Sequence, residues 1–510
     1  MEVAFRNFYL CRTHIRLRNL ELSGLSLQKN YVRQLRGSRS GKNGKGDDVF
    51  QSILKNLKGH FNKPAVITTD QVIISDDPSN DSSKVQEKTK ASVDDVYKKL
   101  QEKITPFKDV RYTYQLEKKY KMSIGVLRYL GEKLQALKVP IALGQDNLPC
   151  PVDLTVQSPL IESYRNQDEF SVGLGPDGNS KTVGFFTGNN SDGTNSICLS
   201  PEDLTIIKES HKEFAKDFQN YVNNSPLEAN VRHDDGGYWR SLKIRSNTEE
   251  HLMGIITMHP QQLTKEDLIE EAEKLREYFL AQKPYYLKSL YLQTCEQKSS
   301  DFKLDLLLGD SCIVESFNNL KLQISPCSYF PSNTRSLECA YNSLMKVCRI
   351  NESTTVLDIF CGTGPLSLMM SPRVKQCIGI DSCLSNIQDA KANAIRNEIK
   401  NAHFVGGDID LLINKVLSKD FYEDLVAVIN PARTELTKTA IQCLRQCKHL
   451  KKIVYMTTIP KSAVGNYVRL CKPSGASGLY GKYFVPLLAI PVDLFPQTDR
   501  FGLIVMFQRL

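Results

Sequence analysis

The spacing of apolar residues changes along the chain, and each change marks a different kind of structure. Residues Val93–Ile104 and 116–137 repeat apolar positions every three or four residues, a helical period dotted with lysines. Those lysines fit either a face turned to RNA phosphates or an ordinary solvated face. From Ser158 the pattern alternates. Runs at 170–174 and Thr182–Phe186 flank Gly-Pro-Asp-Gly-Asn at 175–179, a strong turn signal. Further strand-like runs follow at 196–199, 238–245 and 253–258, with helical spacing over 201–222 and 263–279 between and after them. The pattern predicts an α+β domain rich in hairpins. Another β-rich stretch is expected at 295–315, and the segment 320–333 leads into a helix ending near Val347.

After residue 350 the texture changes again, to short apolar strands separated by helices: 354–360, 402–405, 425–429, 452–456 and 502–507, with a short element at 411–417. This predicts an α/β domain built on a doubly wound, mainly parallel sheet. Its first strand ends in Cys361-Gly362-Thr363-Gly364-Pro365, a helix-length apolar segment follows, and a second strand closes on Asp381. Nucleotide-like ligands bind at the carboxyl ends of such strands, where the backbone approaches closely. Ser367 stands where a dinucleotide fingerprint wants its third glycine, so NAD is disfavoured. A carboxylate at Asp381 can accept both hydroxyls of a ribose, and S-adenosylmethionine fits this pattern best. The competing interpretation is an ordinary glycine turn in an α/β domain.

Length allows two or three domains. The longest apolar runs, such as 485–492, are far too short to span a bilayer. The fourteen cysteines form no Cys-x-x-Cys pair and never reach zinc-finger spacing with histidine, so no metal is expected and a reducing compartment is. The charge of +9 is concentrated at one end: residues 1–46 hold ten Lys and Arg against Glu2 and Glu21. That Arg-rich, acid-poor segment resembles a mitochondrial transit peptide; a basic arm touching nucleic acid in a cytoplasmic protein is the alternative. Residues 47–150 read as a linker and helical region, with a short helix at 49–57 and a solvated polar run at 75–92. Residues 158–315 form the expected α+β domain and 320–510 the sheet domain. In the former, Arg165, Lys181, Arg240, Lys243 and Arg245 are candidate phosphate contacts, with Tyr164 and Trp239 as stacking candidates.

An ordered set of motifs now points to one family. Ile-Ser-Pro-Cys-Ser-Tyr-Phe-Pro-Ser-Asn at 324–333, Leu-Asp-Ile-Phe-Cys-Gly-Thr-Gly at 357–364, Ile-Gly-Ile-Asp at 378–381, Asn-Pro-Ala-Arg at 430–433 and Phe-Pro-Gln-Thr at 495–498 occur in this order. Together with Met-His-Pro-Gln-Gln-Leu at 258–263, they resemble the S-adenosylmethionine-dependent RNA uracil-C5 methyltransferases, in particular their animal mitochondrial branch. The likeness covers about 158–510. It implies a Rossmann-like methyltransferase domain, S-adenosylmethionine as cofactor, and structured RNA as partner, either tRNA or mitochondrial ribosomal RNA. It also implies cofactor contacts at Phe360, Gly362, Gly364, Asp381 and Asn430, and an RNA contact at Arg433.

The resemblance further implies a demanding reaction. Uracil C5 is a weak nucleophile, so a cysteine thiolate first adds at C6, the methyl group is taken at C5, and a base then removes the C5 proton. The family's cysteine position holds Thr458 here, and its glutamate base position holds Gly502. Glu435 and Asp499 are nearby in sequence but match neither position. Pro331 replaces an expected glutamine and Cys327 an aspartate. Cys443, Cys447 and Cys471 fall at helical spacing and read as core residues. The chain is therefore either an active uracil-C5 methyltransferase or a catalytically silent RNA-binding paralogue.

Overall fold

The computed structural model describes residues 93–509, apart from 188–196, 230–235, 283–286, 296–301, 419–422, 432–434 and 476–477. The basic segment 1–46, the helix expected at 49–57 and the polar run 75–92 lie outside the described residues.

Helices α1 (Val93–Ile104) and α2 (Tyr112–Ala136) lead into the first sheet. That sheet contains β1 (Gln167–Gly173), β2 (Thr182–Phe186), β3 (Cys198–Leu199), β4 (Trp239–Ser246), β5 (Leu252–Met258), β6 (Leu287–Cys295) and β7 (Phe302–Gly309). Their spatial order is β3-β2-β1-β4-β5-β6-β7. Neighbours run antiparallel except β5 and β6, which are joined by the crossover helix α4 (Lys265–Ala281). Thr264 starts α4 with a capping box shared with Asp267. The preceding helix, α3 (Glu209–Asn224), presses Phe214 onto the sheet at Gly254, where an added Cβ would come within 2.4 Å of the ring. Trp239 is completely buried, edge-to-face with Phe218 and Tyr221, and Tyr164 is buried too. Neither has a face left to stack on a base.

A hairpin of β8 (Ile313–Phe317) and β9 (Leu320–Ile324) precedes α5 (Thr334–Cys348), whose first turn is capped by Asn333 accepting the Ser336 amide at 3.0 Å. The second sheet then runs β10 (Thr354–Ile359), α6 (Pro365–Met370), β11 (Gln376–Asp381), α7 (Leu384–Arg396), β12 (Ala402–Gly406), α8 (Ile409–Leu417) and β13 (Asp424–Ile429). It continues with α9 (Lys438–Gln446), β14 (Leu450–Thr457), α10 (Pro460–Cys471), β15 (Phe484–Val492) and β16 (Gly502–Arg509). The order is β12-β11-β10-β13-β14-β16-β15, parallel from β12 to β14, with β16 inserted antiparallel. Every residue of β10 is buried, as expected of a central strand covered on both faces. The strand order reverses between β10 and β13, so the carboxyl ends of those strands flank the ligand crevice. The doubly wound sheet and the hairpin-rich α+β part are both as the sequence predicts.

Two features depart from expectation. Lys119 of α2 faces neither RNA nor solvent: it is buried with Asp493, because the stripe Gln115, Lys119, Ser123, Val126 packs inward. Residues 485–492 form a strand despite Pro486 and Pro491. A register shift next to Pro486 accommodates one, and β15 is a sheet margin, bordered outside β16 among the described residues by isolated bridges to Val152 and Val156.

Candidate functional site

At the end of β10 the chain turns sharply. Phe360 adopts φ 64°, and its amide and that of Cys361 donate to the Ile380 carbonyl at 2.9 and 3.1 Å. Gly364 follows at φ 85°, and a Cβ there would lie 2.8 Å from the Phe404 ring, so only glycine closes this turn unstrained. A Cβ built on Gly362 would meet nothing within 4 Å, so the turn borders open space. Asp381, at the tip of β11, is set by three donors. Its Oδ2 accepts from the Gly362 amide at 2.9 Å, and its Oδ1 from the Cys383 amide at 2.8 Å and Asn386 Nδ2 at 3.2 Å. Burial raises the Asp381 pKa, and these hydrogen bonds pull it back. A carboxylate has about four acceptor positions, so this one can still accept from a ligand.

The cleft around this turn is lined by Phe360, Gly362, Asp381, Asn430, Thr458 and Phe495, among others. Phe360, Gly362, Asp381 and Asn430 thus line one cleft, while Gly364 shapes the turn from beneath. Asn430 Nδ2 donates to the Tyr341 hydroxyl at 3.2 Å, which fixes the amide at the mouth of β13. Tyr329 and Pro331 form one wall. That wall is clamped from both sides: Asn386 Oδ1 accepts the Tyr329 amide at 2.8 Å, and Asn166 Nδ2 donates to the Pro331 carbonyl at 2.8 Å. Sequence reasoning missed Tyr341 and Asn386. Asn386 sits in the first turn of the helix that follows Asp381, within reach of the strand tip, and that position is the signal that could have found it.

The far end of the cleft determines the chemistry. Thr458, half-buried just beyond β14, lies with Met456, Pro431 and Leu494. Among the lining residues Asp381 is the sole carboxylate and Cys361 the sole thiol. Burial first, and then the nearby Asp358 and Asp381 charges, push the Cys361 pKa well up, so this thiol stays protonated. Gly502 is not at the cleft surface. It pairs with Val492, and a Cβ there would sit 2.8 Å from Leu494 Cδ1. Glu435 and Asp499 are exposed and outside the lining. The lining offers no thiolate and no base beside Thr458.

None of the described RNA candidates lines the cleft, and Arg165, Lys181 and Arg240 are each engaged by the protein itself. Arg165 Nε pairs with Asp168, whose Oδ2 is 2.7 Å from His211 Nδ1; His211 Nε2 in turn meets Ser246 Oγ at 2.8 Å. Burial would raise the Asp168 pKa, yet Arg165 and His211 hold it at about 2. Lys181 Nζ donates to the Ser225 carbonyl at 2.7 Å, and Arg240 Nη1 lies 2.8 Å from His259 Nε2. Arg433 lies outside the described residues. Cys447 and Cys471 are buried and Cys443 half-buried, as helix-packing residues should be. Among the described residues no His, Cys, Asp and Glu group could hold a metal, and no helix is long and apolar enough to cross a membrane.

Residues 350–462 match the methyltransferase domain family. The chain is 35% identical over 425 residues to human tRNA (uracil-5-)-methyltransferase homolog B, covering 81% of this chain and 84% of that one. The Danio rerio homolog B is 34% identical, covering 81% and 87%. The mouse tRNA (uracil-5-)-methyltransferase homolog A is 32% identical, covering 80% and 68%. Among solved structures, the Pyrococcus abyssi tRNA (uracil-54, C5)-methyltransferase in complex with S-adenosyl-L-homocysteine superposes with a TM-score of 0.54 at 19% identity. It covers 78% of this chain and 83% of its own, a shared fold.

Proposed function

Because the chain belongs to the tRNA (uracil-5-)-methyltransferase family, we propose that it binds S-adenosylmethionine and structured RNA, tRNA foremost, without methylating uracil C5 through a thiolate adduct. One observation carries this: the cleft that holds the cofactor cradle ends on Thr458, with no ionisable thiol or free carboxylate among the residues beside it. A threonine hydroxyl without an adjacent base is a poor nucleophile. Losing nucleophile and base together removes the family's route.

The residues present fit the cofactor. Asp381 keeps acceptor capacity for ribose hydroxyls, Gly362 opens onto free space, and Phe360 and Asn430 border the same cleft. When bound, S-adenosylmethionine supplies an electrophilic methyl group. The chain's own residues orient it, with Asp381 preset by two backbone amides and Asn430 by Tyr341. This intact cradle favours a second interpretation, in which methyl transfer persists. Incubating the purified protein with unmodified tRNA, mitochondrial ribosomal RNA and labelled cofactor separates the two. The first predicts cofactor binding by calorimetry and no label in RNA above a no-enzyme control; labelled uridine overturns it. The surplus of arginine in residues 1–46 supports a mitochondrial address. Import of a fluorescent protein carrying that segment tests it, and a cytoplasmic signal would refute it.

A further inference from the structure

Lys243 and Arg245 stand two residues apart on one face of β4, paired across to Ile255 and Met253 of β5. Both of those belong to the apolar cluster that continues into the second sheet, so this face turns towards the cleft-bearing half. Buried or half-buried cations are ordinarily matched by carboxylates. These two are not. Arg245 donates to the Ser325 carbonyl at 3.4 Å and to the Ser328 carbonyl, while its buried Nε has no partner. Lys243 makes no hydrogen bond or ion pair among the described residues.

The neighbouring acids do not close the gap. Glu169 opposes Lys243 across the β1–β4 ladder but is exposed. Asp389 lies within electrostatic reach of Arg245 but forms no ion pair with it, and its oxygens accept from Gln323 Nε2, Ser325 N and Ser325 Oγ at 3.0, 2.8 and 2.6 Å. Cys327 lies within electrostatic reach of both cations, on the loop that Arg245 clamps, and it stands where the family resemblance expects an aspartate. The thiol is exposed on one side yet partly desolvated, which raises its pKa against the pull of both cations, so it brings no charge at neutral pH. Accordingly, burial and then Arg245 lower the Lys243 pKa to about 8 against the pull of Glu169, and burial lowers that of Arg245 to about 10 against the pull of Asp389. Both values describe a desolvated cation pair with no carboxylate in ion-pair contact. The same loop supplies Tyr329 and Pro331 to the cleft wall.

We propose that Lys243 and Arg245, freed by cysteine at position 327, form a phosphate subsite that takes an RNA backbone phosphodiester beside the nucleotide entering the cleft. This rests on the RNA-binding function proposed above, and a phosphate-only experiment separates the two. The full-length protein is titrated with fluorescein-labelled unmodified tRNA over a salt series. Lys243→Gln should lower the slope of log affinity against log salt by about one, the mark of a lost phosphate contact. Cys327→Asp, at an exposed position that leaves packing alone, should do the same by neutralising the pair, while Cys327→Ser should not. In parallel, alkylation of Cys327 by N-ethylmaleimide is followed by peptide mass spectrometry with tRNA or with inorganic phosphate. The expected result is protection by tRNA in the wild type and none in Lys243→Gln. Tight tRNA binding with unchanged slopes in both variants and unprotected Cys327 overturns the subsite and leaves RNA binding standing. Protection by phosphate without tRNA binding overturns the RNA occupant and the RNA-binding function while retaining an anion site. No protection by either overturns the site.

Discussion

Lys119 Nζ lies 2.6 Å from Asp493 Oδ1, with both side chains completely sealed from water, and the same ammonium donates to the Phe495 carbonyl at 2.8 Å. A helix from the amino-terminal part of the chain thereby grips the loop that closes the cleft. Gln115 and Phe107 add to the grip: the Gln497 amide donates to Gln115 Oε1 at 2.8 Å, and the Phe107 amide to the Gln497 carbonyl at 2.9 Å. Removing one partner of a buried pair strands the other. Lys119→Met should cost about 3–5 kcal/mol, read as a lower urea midpoint. Adding Asp493→Asn should recover part of it, and an unchanged midpoint in the single variant would disprove the grip.

Asp381 is held by Gly362, Cys383 and Asn386 with acceptor capacity to spare. Asp381→Ala should weaken S-adenosylmethionine by about a hundredfold, since hydrogen bonds to a charged group contribute roughly 1.5–3 kcal/mol each. Calorimetry measures this directly. Equal affinity in the variant would remove Asp381 from the binding site.

Thr458→Cys places a thiol where the family's chemistry begins. It should form an RNA adduct that survives denaturing electrophoresis, without multiple turnover, because no base faces it. Adding Gly502→Glu alone drives the new side chain against Leu494, so turnover should require Leu494→Ala as well. If no adduct forms at all, more than the reacting groups has been lost.

Asp358 predicts a pH dependence. Burial, with a smaller push from Asp381, raises its pKa to about 7 against the pull of Ser367, whose hydroxyl donates at 2.8 Å. The folded value lies above the ordinary 3.8, so protonated Asp358 favours the fold. That stability is whole below about pH 4 and is lost as pH rises through about 7. Asp358→Asn should flatten the decline and raise the thermal midpoint at pH 8, by at most about 4 kcal/mol equivalent at 1.36 kcal/mol per unit. A parallel decline in both proteins would show that Asp358 is charged throughout.

What the sequence reveals here follows the range of the forces involved. The turn at Gly362 and Gly364 and the carboxylate of Asp381 were legible because sterics and main-chain hydrogen bonding act over a few residues. The parallel strands were legible because burial on both faces makes them uniformly apolar. Lys119 was not, since its inward course depends on Asp493, 374 positions away. The strand at Phe484–Val492 was hidden by two prolines that only its marginal place in the sheet tolerates. Trp239 invited a role in stacking, yet its environment is set by α3, and nothing near it in sequence says so. At Thr458 and Gly502 what the sequence offers is residue identity rather than conformation, which needs no packing to read.

The anchoring of Asp381 by the amides of Gly362 and Cys383 has an evolutionary corollary. A cradle written largely in main-chain atoms changes little when side chains drift, provided the turn keeps its shape. Covalent chemistry, by contrast, hangs on one sulfur and one carboxylate, each erasable by a few nucleotide changes. A lineage with this architecture can therefore be disarmed without being dismantled, and its descendants remain free to use the grip for other ends.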